Sequence, residues 1–411
     1  RLTLLPILCY RYPAMNAFIY KNGELHAENI PLRELAEQHG TPLYVYSQNH
    51  LREQYRGLAE AMSEVSPLIC YSVKANSNAS VIRTFLDEGS GLDIVFGGEL
   101  FRALRAGADP RKIVYAGVGK TREEIEYALK ENILFFTVES EAEAARISEC
   151  AVKLNLTGRI AFRINPDVDP QTHKYVSTGK KENKFGVAID VAPEIYARLA
   201  KFDGLNLRGV AVHIGSQLTD LAPFEMAYDK VAELTETLRA DGHTIKRLDL
   251  GGGLGIPYER SNEAPPLPSD YGEMVQRKLG HLGCEIEIEP GRLIAGNAGL
   301  MVSEVIYVKS GEGRDFLILD GAMNDLIRPA MYEAHHDIVP VVEPAAGVEQ
   351  QPYDIVGPVC ESGDTFAKQR MMPKLAAGDL VAFRSAGAYG AVMSSEYNSR
   401  ALIPEVLVKG D

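Results

Sequence analysis

The chain has 411 residues, 45% of them hydrophobic and 24% charged, with a formal net charge of −13. That length allows two or three domains, or one large barrel with an addition, and a core that needs no disulfide staples. The acidic balance speaks against a broad nucleic-acid or anionic-membrane surface, although a few backbone amides could still hold a phosphate.

The opening RLTLLPILCY (1–10) is apolar, but Arg11 interrupts it, and no apolar run approaches the ~18 residues a membrane span needs. Met15 begins a more ordinary sequence. Residues 1–14 are therefore expected to be an extension, the alternative being an arm packed on the fold. Residues 15–44 read as the N-terminal part of a β domain, and TPLYVYS (41–47) as an additional strand or an entry into the next domain.

Between residues 45 and 295, short β-rich runs alternate with helix-like segments. The runs are PLICYSV (67–73), GLDIVF (91–96), KIVYAG (112–117), ILFFTV (133–138), RIAFRI (159–164), GVAVHI (209–214), RLDL (247–250) and CEIEIE (284–289). Segments such as EAEAARISECAVKL (141–154) space their apolar residues as a helix does. Eight βα units predict an α/β fold, a (β/α)8 TIM-like barrel, with its chemistry at the C-terminal strand ends. Lys74, Asp93, GVGK (117–120), Glu139, Arg163, His213, GGGLG (251–255), Glu289 and Arg292 all fall there.

Residues 296–411 read as a second, mostly antiparallel β domain, from LMVSEVIYVKS (300–310), DFLILD (315–320) and DLVAFRSAG (379–387) with Gly/Pro turns between them. His335-His336 reads as a solvated loop, and ERSNEAPPLPSD (259–270) as the most loop-like stretch. Cys9, Cys70, Cys150, Cys284 and Cys360 are scattered and form no C-x-x-C pair. That pattern argues against a disulfide framework or a zinc cluster and for a reducing, cytoplasmic setting without a structural metal.

Single motifs leave their chemistry open. Lys74, at the end of a buried strand, could form a Schiff base with an aldehyde, or it could simply extend its ammonium to the rim. The glycine run Gly251, Gly252, Gly253 lets backbone amides approach a phosphate, or merely permits a tight turn. His213 offers a flat ring and Ser216 a hydroxyl, yet a histidine there is commonly a satisfied core residue. Glu289 facing a pyridine nitrogen would strengthen an electron sink, with Arg292 three residues on; a plain Glu–Arg surface pair is the alternative.

Taken in order, YSVKAN (71–76), TGKKENKFGV (178–187), HIGSQ (213–217), GGGLGIPY (251–258), EPGR (289–292), GPVCESGD (357–364) and GAYGAVMSSEYNSR (387–400) span nearly the whole chain from Met15. This set resembles the diaminopimelate decarboxylase family, within the alanine-racemase-like, fold type III pyridoxal-phosphate enzymes.

The resemblance implies pyridoxal 5'-phosphate held covalently by Lys74. It implies Gly251, Gly252, Gly253, Ser216 and Tyr389 at the phosphate or cofactor, His213 stacked on the ring and Glu289 at its nitrogen. It implies Cys360 as proton donor to Cα, Glu361 and Tyr389 at the substrate, and Arg292, Arg328 and Tyr332 at the distal carboxylate. It further implies a homodimer whose GPVCESGD loop enters the partner's site, a small amino-acid substrate, and no nucleic-acid or membrane partner. The family reads S-G-G-E after the second strand where this chain has Phe96-Gly97-Gly98-Glu99, so altered packing near the ring is expected. A decarboxylase of another basic amino acid or of a carboxylated polyamine, or a non-catalytic cofactor-binding regulator, remain the rival readings. Arg328 speaks against the first, because ornithine offers it no carboxylate. The presence of Lys74 and Cys360 speaks against the second.

Overall fold

The computed structural model describes residues 18–169, 184–258 and 265–410, so the 1–14 segment and most of TGKKENKFGV lie outside the described residues. The chain forms two units. One contains residues 55–255 and 265–293, and the other contains the chain up to 54, residues 256–264 and the chain from 294 onward.

The first unit is an eight-stranded parallel barrel. Its strands are β1 (Leu68–Ser72), β2 (Gly91–Ile94), β3 (Ile113–Tyr115), β4 (Phe135–Val138), β5 (Gly158–Asn165), β6 (Leu205–Val212), β7 (Arg247–Asp249) and β8 (Glu285–Ile288). Each pairs in parallel with the next, and β8 returns to pair with β1, so the sheet closes and leaves no edge. These are the eight runs expected from sequence, because a fully buried parallel strand is a short apolar run bounded by glycine and polar residues. Cys70, Val114, Phe135, Ala161 and Ala211 form one buried cluster. They come from strands that are not all neighbours, so they meet across the barrel interior.

Local chemistry sets the helix ends. Thr121 and Glu124 form a reciprocal capping box at Arg122–Lys130, and the Ser140 hydroxyl accepts from the Glu143 amide at the start of Glu141–Leu154. Between these two helices Lys120 is wholly buried. Its ammonium donates to Gly117 O, Thr137 O and Glu143 Oε1 at 2.7–2.8 Å, which satisfies all three of its protons.

The second unit is mostly antiparallel sheet. Phe18–Lys21, Glu24–Ala27 and Ile30–Pro31 form a three-stranded sheet. A larger sheet is built on the long strand Gly299–Gly311, which pairs antiparallel with Arg314–Leu319, Leu380–Phe383 and Leu43–Ser47. TPLYVYS is thus a strand of this sheet and not an entry into the barrel. Two joins are parallel: Arg314–Leu319 with Gln350–Val356, and Leu43–Ser47 with Glu405–Val408. Phe18, Leu25, Leu43, Val45, Leu300, Val302, Val341 and Val408 are among the residues of its apolar core.

Candidate active site

Lys74 lies in a single 3-10 turn that follows β1. Its Nζ is 2.7 Å from Asp93 Oδ2, and Ser72 Oγ donates to the same oxygen at 2.7 Å. Asp93, at the C-terminal end of β2, is fully buried, whereas the Lys74 side chain keeps 42% exposure. The lysine is therefore anchored from below and reachable from above.

Glu289 stands just past the end of β8, 9% exposed. Burial pushes its carboxyl well above the ordinary carboxylate range, and the charges of Asp249 and Asp93 push it the same way. The carboxyl groups of Asp249 and Glu289 lie within hydrogen-bonding reach, and burial raises Asp249 to about 6. Among the described residues no amide, hydroxyl or cationic donor reaches Glu289 Oε1.

The loop after β7 forms a cradle. The Gly252 amide donates to His213 Nδ1 at 3.2 Å, which leaves that nitrogen unprotonated and makes the ring neutral with its proton on Nε2. Burial, with the charges of Arg163 and Lys74, holds His213 well below the usual imidazole range. Gly251, with φ +64°, sits so close to His213 that a Cβ would lie 2.8 Å from its ring nitrogen. Gly253, with φ +120°, faces the Gly215 carbonyl more closely still, a Cβ there falling 2.4 Å from the oxygen. Arg292 Nη2 donates to Ser216 Oγ at 3.1 Å.

Behind this rim runs a network that the motifs did not single out. Arg163 donates to Glu139 at 2.9 Å and to the His213 carbonyl at 3.2 Å, and the Gly186 amide donates to Glu139 at 2.7 Å. The strand-end rule had marked Asp93, Glu139 and Arg163, but it gave no reason to choose them over neighbours. Asp249 carried no signal beyond its place before the glycines. Phe96 is 59% exposed and gives helix Gly97–Arg105 no side-chain cap. Glu99 and Glu124 instead accept from the Val95 and Gly97 amides.

The barrel unit thus brings together Lys74, His213, Ser216, Gly251, Gly252, Gly253, Glu289 and Arg292. The sheet unit carries the others. Arg328 and Tyr332 share the helix Arg328–Tyr332. Arg328 is 6% exposed, donates to His336 Nε2 at 2.8 Å, and lies 4.5 Å from the Tyr258 ring centroid. His336 Nδ1 is 2.8 Å from the Arg384 carbonyl, so its proton sits there and Nε2 accepts. His336 is 2% exposed, which corrects the reading of this pair as a solvated loop. A neutral imidazole and an aromatic face position Arg328 without cancelling its charge.

Cys360 and Glu361 are exposed on a loop that Asp364 ties together, its carboxylate accepting from the Met323 and Val359 amides at 2.7 Å. Tyr397 donates to Glu361 at 2.8 Å. Tyr389 is held at φ +56°. Among the described residues no cluster could hold a metal ion, and no helix is long and apolar enough to cross a membrane.

Residues 48–296 match the family described as pyridoxal-dependent decarboxylase, pyridoxal binding domain. Over 97% of its length the chain is 49% identical to diaminopimelate decarboxylase of Pseudomonas aeruginosa, covering 94% of that protein. The chain belongs to the diaminopimelate decarboxylase family. The family's Zymomonas mobilis member is 46% identical over 97% of this chain and 94% of its own. The diaminopimelate decarboxylase of Helicobacter pylori, solved with L-lysine, superposes with a TM-score of 0.88 at 42% identity over 92% of this chain and 94% of its own. The lysine/ornithine decarboxylase of Vibrio vulnificus, at 23% identity and a TM-score of 0.81 over 92% and 97%, shares the fold alone.

The barrel rim fits the family's cofactor on its own terms. Glu289 Oε1 is a buried acceptor that no donor reaches among the described residues, as a ring N–H requires. The three glycines let the loop backbone, with its amides, close against His213, Gly215 and Glu289, where any Cβ would collide.

Proposed function

We propose that this chain converts meso-2,6-diaminopimelate to L-lysine and carbon dioxide with pyridoxal phosphate, as a cytoplasmic homodimer that shares its active sites. The observation that carries the reading is the 46–49% identity over nearly the whole chain to diaminopimelate decarboxylases.

Bound pyridoxal phosphate supplies the electron sink for the bond pair left behind when carbon dioxide departs. Lys74 is the amine that would carry it, with Asp93 at 2.7 Å to hold the proton that its nucleophilic form must shed. Glu289, as a carboxylate facing the ring nitrogen, would keep a proton there, the positive ring offsetting the burial that otherwise raises its carboxyl. His213, neutral and fixed by Gly252, would lie flat against the ring without adding charge. The amides of Gly251, Gly252 and Gly253, with Ser216 and Tyr389, would hold the phosphate.

One carbon–carbon bond breaks and one carbon–hydrogen bond forms. The Cys360 thiol would deliver that proton to Cα, its loop entering the partner subunit's site. Arg328, Tyr332 and Arg292 would grip the distal carboxylate and Glu361 the distal ammonium. A guanidinium offers two parallel hydrogen bonds to a carboxylate, and ornithine and lysine have none at their distal end.

The test is competition between substrates. With the holoenzyme, kcat/KM for meso-diaminopimelate should exceed that for ornithine or lysine by at least about 10²-fold, the scale set by leaving a buried guanidinium unpaired. Equal values would move the reading to a basic-amino-acid decarboxylase.

A further inference from the structure

The barrel has a second concavity, at the N-terminal ends of its strands, away from the rim that carries Lys74. It is a cavity of about 270 Å³ with Arg111, Arg159, Arg208, Lys246 and Arg247 in its walls, an apolar floor at Leu134 and Phe135, and one carboxylate, Glu285. Five cations around one acid in a chain of net charge −13 are not the background composition.

Two of these charges are compensated locally. Arg247 pairs with Glu285 and Glu287, and Arg111 pairs with Asp109 at 2.9 Å. Balancing the buried acid Glu287 therefore accounts for Arg247. It does not account for Arg159, Arg208 and Lys246, which pair with no carboxylate among the described residues.

The backbone places these three with some effort. Arg159 is locked by neutral acceptors, from Nε to the Leu134 carbonyl at 2.8 Å and from Nη2 to the Ile133 and Asn132 carbonyls and to Asn132 Oδ1 at 2.6 Å. Arg208 is the extra residue of a β-bulge, where β6 slips against β5 between Leu207 and Gly209. Bulges re-aim side chains at barrel rims. Gly209 makes this one possible, because a Cβ there would collide with the Arg247 carbonyl. The Lys246 amide clamps the bulge by donating to Arg208 O at 3.0 Å. Arg208 Nε is buried with no hydrogen-bond partner among the described residues. Burial, and after it the charge of nearby Arg208, disfavours protonation of Arg159. Like charges held together, with a buried donor left over, cost stability that an anion in the cavity would return.

We propose that this cavity binds a small oligophosphate, with the guanidinium fork of Arg208, Nη1 of Arg159 and the Lys246 ammonium on its oxygens. Guanidinium forks match phosphate geometry, and a cavity of this size admits a diphosphate group. The site is separate from the cofactor cradle, since the two lie at opposite ends of the barrel strands.

The experiment titrates inorganic pyrophosphate into the holoenzyme at low salt by calorimetry, with the cofactor's own phosphate filling the cradle. Saturable binding of one pyrophosphate per chain is expected, weakening as salt is added. Arg208→Ala should weaken it by at least about tenfold, the worth of one charge-assisted hydrogen bond. Lys246→Glu, at an exposed side chain that the fold does not need, should do the same and answers the question if Arg208→Ala fails to fold. Turnover of both variants without pyrophosphate should match that of the unaltered enzyme, so the result stands apart from the decarboxylase reading. No saturable binding, or binding unchanged in the folded variants, overturns the proposal.

Discussion

Replacing Glu289 by glutamine isolates what its acidity contributes. The carboxamide fills the same volume and removes the repulsion from Asp249 and Asp93 that helps push the Glu289 carboxyl upward. The melting temperature should therefore stay close to that of the unaltered protein. Catalysis should not. An amide cannot hold the ring nitrogen's proton as a carboxyl does, and a hydrogen bond to a charged group at a buried site is worth about 1.5–3 kcal/mol. If that interaction is made fully only as carbon dioxide leaves, kcat falls roughly 10- to 150-fold. The assay is carbon dioxide release at saturating substrate beside a thermal melt, with the cofactor's visible band showing that loading is complete. A fully loaded, stable Glu289→Gln protein with kcat within twofold of normal would refute the reasoning. A parallel loss of melting temperature and activity would refute it too, by making Glu289 structural.

Other outcomes follow from the same geometry. Asp249 is raised to about 6 when folded, so the stability it contributes is present below the unfolded value of about 3.9 and is lost as pH rises through about 6. Holoenzyme melts between pH 4 and pH 7 should show that decline, and Asp249→Asn should flatten it. Lys120→Met would leave Glu143, only 8% exposed, without its cation, lowering barrel stability by about 3–5 kcal/mol in a urea titration. Arg328→Leu should raise KM for meso-diaminopimelate more than it lowers kcat, as read from steady-state kinetics. If sites are shared across a dimer, mixing inactive Lys74→Ala and Cys360→Ala proteins should restore up to about a quarter of the activity, whereas unshared sites restore none.

The barrel was legible because each of its strands is an apolar run with a polar or glycine residue where it ends, as in YSVK and HIGS. The sheet unit was less so. Gln350–Val356 and Thr365–Pro373 carry glutamine, proline, lysine and arginine at positions that stay partly or fully exposed, and neither reads as a strand. Pairing of Leu43–Ser47 with Glu405–Val408 joins chain segments too far apart for any local pattern. Among site residues, glycines and Lys74 stood out by their position. Asp93 and Asp249 did not, since a carboxylate in a strand announces its partner only once the barrel closes. His336 looked polar and is buried, because its two ring nitrogens are both satisfied, by Arg328 and by the Arg384 carbonyl.

The most direct test of the central claim is to incubate the cofactor-loaded protein with meso-2,6-diaminopimelate and measure carbon dioxide and L-lysine together. The account predicts equal amounts of both, and neither from the Lys74→Ala protein. A loaded, folded protein that releases no lysine would contradict it.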